Sequence, residues 1–236
     1  MKYSIIKNSE LEKGKRLDAE YYAPEFLNVE TTLEKYPHTK PLAKLVKPIR
    51  TGFPFDSFTF SESGEIPLVR IRDIQTKGID IEDTLYIPKK LALAHKEAIP
   101  DIGDVVIGMD GDEFRSAPIT QDLGTVCINQ RIAIITVESI STEYLFTFLN
   151  SKYGLFQLLR KKTTATTVGH ISPRDVRELV VPIVTPESHD EITNKVRKSI
   201  ELRKQADQLW EQAVSDLEKH IERSVASSST RTSNAT

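Results

Sequence analysis

Residues 150–177, in the second half of the chain, combine cationic side chains with short hydroxyl groups. Six Lys or Arg stand against a single Asp, which gives the segment a local net charge of +5. Cations and hydroxyls on a flexible backbone are the groups that contact nucleic-acid phosphates, and Thr, Ser and His also reach base edges. The candidate contacts in the segment are Arg160, Lys161, Lys162, Thr164, Thr166, Thr167, Gly169, His170 and Arg174. The alternative is a solvated helix end followed by a polar loop.

A second candidate is the acidic stretch 108–113, where two aspartates and a glutamate stand beside glycines. Carboxylates of this kind hold divalent cations, but the alternating spacing and distant closing glutamate of a calcium loop are absent. We therefore predict a glycine-shaped turn and no metal site. Arg115 follows the turn directly and is placed to project toward a ligand.

No catalytic constellation is present in the sequence. The five histidines show no HExxH spacing, and there is no GxSxG elbow, no phosphate-binding Walker loop and no GxGxxG after a strand. Cys127 lies between Val126 and Ile128, where a small buried apolar residue is expected more often than a nucleophile. The sequence therefore predicts a protein that is not an enzyme and holds no cofactor of its own.

The composition limits the possible binding partners and cellular compartments of the protein. Chains that bind nucleic acid are usually strongly basic, whereas this chain has a formal net charge of −2. Any binding to nucleic acid therefore has to come from local basic patches. One cysteine excludes a disulfide framework and suits a reducing compartment. The opening residues lack the apolar core of a signal peptide, and no apolar run has the length of a membrane span. We expect a cytoplasmic protein without membrane contact.

The hydrophobic patterning predicts an α+β fold with a mainly β core and flanking helices. Branched apolar runs bounded by glycines fall in residues 64–74, 81–88, 102–109 and 125–137. Helical patterns surround them, in 18–36, interrupted near Pro24, and in 142–162, broken near Gly154. We predict three parts: a domain over 1–184, a long helix over 185–225, and a disordered polar tail over 226–236.

The long helix needs a partner for its apolar stripe. Thr185 and Pro186 are suitable residues for its start, and it would reach about 55 Å, longer than most globular domains can cover. Either another domain or a second chain is expected to cover the stripe. The predicted contact residues are Val196, Ile200, Leu209, Trp210, Ala213, Leu217 and Ile221.

Four motifs, in order, resemble the specificity subunit of type I restriction–modification systems. They are RLDAEYYAPEF, then IPLVRIRDI with GDVVIGMDG, then VCINQRIAIITV with the helix EYLFTFLNS, and last GHISPRDVRELVVPIVTPESHDEI leading into the long helix. The resemblance covers about residues 10–222. It departs from the family at the junction, which reads TPESHD, and in carrying one recognition domain and one helix instead of two of each.

The resemblance implies a target-recognition domain followed by a coiled-coil-type spacer helix. Such a chain is a half-subunit, or one half of a longer subunit, that binds one half of a split double-stranded DNA target and takes part in phage defence. It adds Arg131 to the predicted DNA contacts. The spacer is expected to dock an adenine methyltransferase, through it a restriction and translocase subunit, and to self-associate as a homodimer. S-adenosylmethionine, ATP and Mg²⁺ are then expected in the partner subunits.

Two other functions remain open. One is an α+β oligomerisation or scaffold module of another DNA-modification or phage-defence complex. The other is an enzyme with an unfamiliar motif.

Overall fold

The computed structural model describes residues 3–7, 11, 16–76, 78–163 and 169–232, with the side chains of the last range described through 223. The chain divides into two compact units, Met1–His189 and Asp190–Thr236. The first unit holds the sheets. The second consists of most of the long helix.

The first unit contains eleven short strands among its described residues. In chain order they are β1 (Thr39–Pro41), β2 (Arg50–Thr51), β3 (Ile66–Val69), β4 (Ile74–Gln75), β5 (Gly78–Ile79), β6 (Leu85–Ile87), β7 (Val105–Gly108), β8 (Ser116–Pro118), β9 (Cys127–Ile128), β10 (Ile132–Ile135) and β11 (Val180–Pro182). The helices are α1 (Pro24–Lys35), α2 (Lys89–Ala94), α3 (Thr142–Asn150), α4 (Lys152–Lys161), α5 (Pro173–Arg177) and α6 (Pro186–Thr232). The α+β prediction is confirmed, and α2 is an element that the sequence patterns did not indicate.

Two sheets form the centre of the first unit. The larger has the order β2-β10-β7-β8 and is antiparallel throughout. The smaller has the order β6-β3-β9, with β3 and β9 parallel. Two further pairs, β1 with β11 and β4 with β5, lie outside these sheets.

The smaller sheet contributes to two apolar clusters. Val69 and Ile128 pack with Val106 and Ile134 of the larger sheet. Their neighbours Leu68 and Cys127 belong instead to a second cluster with residues of β6 and α2. Successive residues of a strand point to opposite faces, so this short sheet is buried on both sides and holds the larger sheet in place.

Helices α3 and α5 begin at the caps expected from the sequence. The hydroxyl of Ser141 accepts a hydrogen bond from the Tyr144 amide at 3.1 Å, and Ser172 with Asp175 forms a reciprocal capping box before α5. The break between α3 and α4 falls at Ser151, three residues before the expected position. Gly154 then allows α4 to approach α3, because a Cβ at this position would lie 2.3 Å from the Phe148 carbonyl oxygen.

Helix α6 starts as expected and runs farther than expected. The hydroxyl of Thr185 accepts a hydrogen bond from the Ser188 amide at 3.3 Å. The helix continues to Thr232, through most of the stretch 226–236 that the sequence analysis assigned to a disordered tail. Residues 233–236 lie outside the described part of the chain. Within that part, no helix is long and apolar enough to span a membrane.

Candidate nucleic-acid interface

Three connecting segments meet at one end of the four-stranded sheet: the β7–β8 connection, the β9–β10 turn and the segment that follows α4. The end of β7 lies beside the start of β10, where Gly108 pairs with Ile132. The Met109 amide donates to the Arg131 carbonyl at 2.9 Å. The Ile171 amide donates in turn to the Met109 carbonyl, also at 2.9 Å. Residues distant in the sequence are thereby held side by side through their backbones.

Asp110 occupies the centre of this meeting point. Its Oδ1 lies 2.5 Å from Nδ1 of His170, and its Oδ2 lies 3.4 Å from Nε of Arg131. The backbones of Asp110 and His170 also form a β-bridge. The Asp110 side chain is only 24% exposed, whereas the side chains of His170 and Arg131 are 37% and 55% exposed. One carboxylate therefore orients two predicted DNA contacts that lie on different segments.

Two further ion pairs extend the surface on either side of Asp110. Nζ of Lys162 lies 2.9 Å from Oδ1 of Asp112. The Arg115 guanidinium donates from Nε to Glu113 Oε2 at 2.8 Å and from Nη1 to Gln75 Oε1 at 3.0 Å. Four of the predicted contacts, Arg115, Arg131, Lys162 and His170, are thus brought to one surface, which we call the sheet-end surface.

The turn predicted for the acidic stretch 108–113 is present. Gly111 has φ of +110°, a conformation that favours glycine. Its amide donates to the Gly169 carbonyl at 2.9 Å, and a Cβ at Gly169 would collide with the aliphatic stem of Lys162. Gly111 therefore permits the backbone conformation of the turn, and Gly169 permits the close approach of Lys162. Among the described residues, no group of three or more His, Cys, Asp or Glu is arranged to hold a metal ion.

Three predicted contacts lie on a different face, formed by α1, α4 and α5. The Arg160 side chain is 13% exposed, lies 4.3 Å above the Tyr21 ring and pairs with Glu30 at 2.7 Å. Lys161 pairs with Glu178 at 2.8 Å, and the far more exposed Arg174 pairs with the same glutamate at 3.0 Å. Arg160 and Lys161 line a groove of about 370 Å³ beside α1. The structure does not bring these three to the sheet-end surface.

Thr164, Thr166 and Thr167, the remaining predicted contacts, lie outside the described residues. The Thr163 amide, which precedes these residues in the chain, donates a hydrogen bond to the His170 carbonyl at 3.0 Å. The hydroxyl of Thr163 donates to the same carbonyl. Thr163 therefore lies beside His170 at the sheet-end surface.

The electrostatics of the sheet-end surface are those of paired charges. Three carboxylates face two arginines, a lysine and a histidine, so little net charge remains while many N–H donors stay at the surface. Such a surface has donors for guanine edges and phosphates, and carboxylate acceptors for the cytosine amino group. The sequence analysis missed the role of Asp110, Asp112 and Glu113. The only signal was that they lie two to five residues before Arg115.

Cys127 has none of the properties of a nucleophile. The side chain is fully buried in the cluster shared by β3, β6 and α2. Burial raises the pKa of its thiol to about 11, so the thiol is protonated at neutral pH. The expectation of a small buried apolar residue is confirmed.

Helix α6 presents a row of exposed apolar side chains. Leu209, Trp210, Leu217 and Ile221 are each more than half exposed. An exposed tryptophan and several leucines on one helix are unusual for a surface that only water contacts. The predicted pairing of this stripe with another chain stays a prediction.

Comparison with known proteins finds a sequence relative. No protein-family model matches the chain. The type I restriction enzyme EcoBI specificity subunit of Escherichia coli is 27% identical over 136 residues, which cover 57% of this chain and 26% of that protein. The chain thus spans about a quarter of the length of this relative. The similarity confirms the resemblance to type I specificity subunits that the motifs indicated.

The chain is also similar to solved structures. The type IIG restriction endonuclease BpuSI matches with a TM-score of 0.56 at 12% identity, over 81% of this chain and 30% of that chain. The HsdS subunit from Thermoanaerobacter tengcongensis matches with a TM-score of 0.46 at 16% identity, over 77% of this chain and 45% of that chain. The first of these matches shows a shared fold.

Proposed function

We propose that this chain is the sequence-specific DNA-binding specificity subunit of a type I restriction–modification complex, with residues 1–184 recognising one half of a split target. The proposal is carried by the convergence of Arg115, Arg131, Lys162 and His170 on the sheet-end surface. The similarity to the Escherichia coli specificity subunit supports it.

The side chains of the sheet-end surface suit different contacts. Arg115 and Arg131 carry planar guanidinium groups, which match the O6 and N7 acceptors of guanine. Lys162 is a point charge suited to a phosphate. The hydroxyls of Thr164, Thr166 and Thr167 complete the predicted base and backbone contacts. We assign Lys161 and Arg174 to the DNA backbone, while Arg160, packed on Tyr21, is the weakest of the predicted contacts.

The chain itself performs no chemistry in this proposal. An adenine methyltransferase subunit supplies S-adenosylmethionine, and a restriction and translocase subunit supplies ATP hydrolysis with Mg²⁺. The partners also provide much of the phosphate neutralisation that dominates DNA affinity, which accounts for the near-neutral charge of this chain.

Helix α6 serves as the spacer and the assembly arm. Its exposed apolar stripe pairs with a second copy around a two-fold axis, which presents two identical recognition units to a palindromic split target. The same helix docks the methyltransferase. The stripe also favours the second candidate function, an α+β oligomerisation module of another DNA-modification or phage-defence complex.

Selection from a random duplex library, with the methyltransferase partner present, tests the recognition role. We expect one enriched split motif. Arg115→Ala should relax the preference at one position of that motif, because a lost bidentate contact removes about 1–3 kcal/mol of discrimination. Lys96→Ala, which removes an exposed cation elsewhere in the first unit, serves as the control.

Enrichment of no motif would contradict the recognition role. If the chain nevertheless formed dimers through α6, the result would favour the oligomerisation module. Equal relaxation by Arg115→Ala and Lys96→Ala would contradict the assignment of Arg115 to a base.

A further inference from the structure

The β7–β8 connection supplies a carboxylate to every cation of the sheet-end surface. Lys162 pairs with Asp112, and Arg115 pairs with Glu113. Each of these cations is therefore neutralised by an acid that the same surface presents to DNA. A surface selected only for phosphate affinity would leave its cations uncompensated.

The acids are not equivalent. The Asp110 side chain is 24% exposed and contacts two groups, which makes it a positioning residue. The side chains of Asp112 and Glu113 are 87% and 70% exposed and contact one cation each. Surface ion pairs are weak and screened by salt, so each acid imposes a small but finite penalty on a phosphate that competes for its cation.

We propose that Asp112 and Glu113 are specificity-determining residues that select base readout over phosphate-only binding. Each carboxylate cancels the long-range attraction of its cation for DNA phosphates but leaves short-range N–H donors available. Non-target complexes rely on phosphate contacts, so they lose most. This inference rests on the proposed DNA-binding function.

The donor count of Arg115 is consistent with this selection. A guanidinium has five N–H donors. Glu113 accepts from Nε and Nη2, and Gln75 accepts from Nη1, which leaves two donors for a base edge without breaking any of these contacts. To reach a phosphate the guanidinium would have to leave Glu113 or bring two anions together. Glu113 therefore penalises the phosphate contact and spares the guanine contact.

Two charge-removing variants test the proposal in the full chain, with the methyltransferase partner, on the selected target duplex and on a scrambled duplex. Asp112→Asn and Glu113→Gln should each raise affinity for the scrambled duplex roughly two- to fivefold. The slope of log affinity against log salt should steepen by up to about 0.9 per variant, because one more cation contacts phosphate. The ratio of target to scrambled affinity should fall in Glu113→Gln.

Two comparisons separate this mechanism from a general loss of negative charge. Glu62→Gln makes the same change at an exposed acid elsewhere in the first unit and should leave affinity and slope unchanged. The gain from Asp112→Asn should vanish when Lys162 is already alanine, because there is no cation left to release.

This inference would be overturned if the wild type bound the target and neither variant changed the affinity for the scrambled duplex. The proposed function would not be affected by that result. The same gain from Asp112→Asn with and without Lys162 would also overturn it. No duplex binding by the wild type would overturn the proposed function and this inference together.

Discussion

Replacing Leu209 and Leu217 with glutamate tests whether α6 pairs with a second copy of itself. The two side chains are 65% and 62% exposed, so most of their apolar surface is available to a partner. Full burial of a leucine is worth about 1.5–3 kcal/mol, and covering the exposed part of four leucines in a two-fold dimer contributes about 4–8 kcal/mol. Loss of that contribution weakens the dimer by at least about 10³-fold.

Light scattering at micromolar concentration measures the outcome directly. The wild type should have twice the 26.7 kDa mass of one chain, and the double variant should have the mass of one chain. Gln208→Glu with Ser215→Glu is the matched control, since both positions lie on the opposite side of the helix and the pair adds the same two negative charges. This control should remain dimeric.

A wild-type mass near that of one chain would refute the homodimer and favour a helix covered by the methyltransferase or by its own chain. Dissociation of the control along with the double variant would refute the assignment of the leucine face. The double variant should keep the near-ultraviolet circular dichroism of the first unit, because its substitutions lie in the second.

Three further outcomes are expected. Gly154→Ala should lower the free energy of unfolding by at least about 1–3 kcal/mol in urea titrations, because its Cβ would meet the Phe148 carbonyl at 2.3 Å; unchanged stability would contradict the close approach of α3 and α4. Hydrogen bonds from Lys161 and Arg174 lower the pKa of Glu178 below its usual 4.5, so its stabilising effect is present above pH 4.5 and is lost as pH falls further. Thermal unfolding of Glu178→Gln should therefore depend less on pH below 4.5 than that of the wild type. The purified chain, incubated alone with DNA and labelled S-adenosylmethionine, should transfer no methyl group, and reproducible transfer would contradict a non-catalytic role.

Local features of the fold could be predicted because they depend on neighbouring residues. The caps at Ser141, Ser172 and Thr185 are set by side chains that reach amides three residues away. The apolar runs of β3, β7 and β10 are short, branched and bounded by turn residues. Helix α2 was missed because its six residues are too few for a helical period to stand out.

The candidate site could be predicted only in part, because it is assembled from distant segments. Arg160, Lys161 and Lys162 are consecutive and were interpreted as one basic patch. Successive residues at a helix end project about 100° apart, so Arg160 packs on Tyr21 while Lys162 reaches Asp112. Pairing across 50 residues leaves no local pattern that sequence reasoning could have used.

The contact between Asp110 and His170, which closes the sheet-end surface, can form only after both residues have been synthesised. The two residues are 60 positions apart. At translation rates of about 5–20 residues per second, His170 is added about 3–12 s after Asp110. All seven strands of the two central sheets lie before residue 136, so the β core leaves the ribosome while the surface is still incomplete. Contacts between distant residues also form late, because closing the loop between them costs conformational entropy before the contact stabilises the chain. A nascent or prematurely ended chain therefore has the β core without a complete sheet-end surface, and the DNA recognition that we propose for this surface would be acquired as one of the last steps of folding.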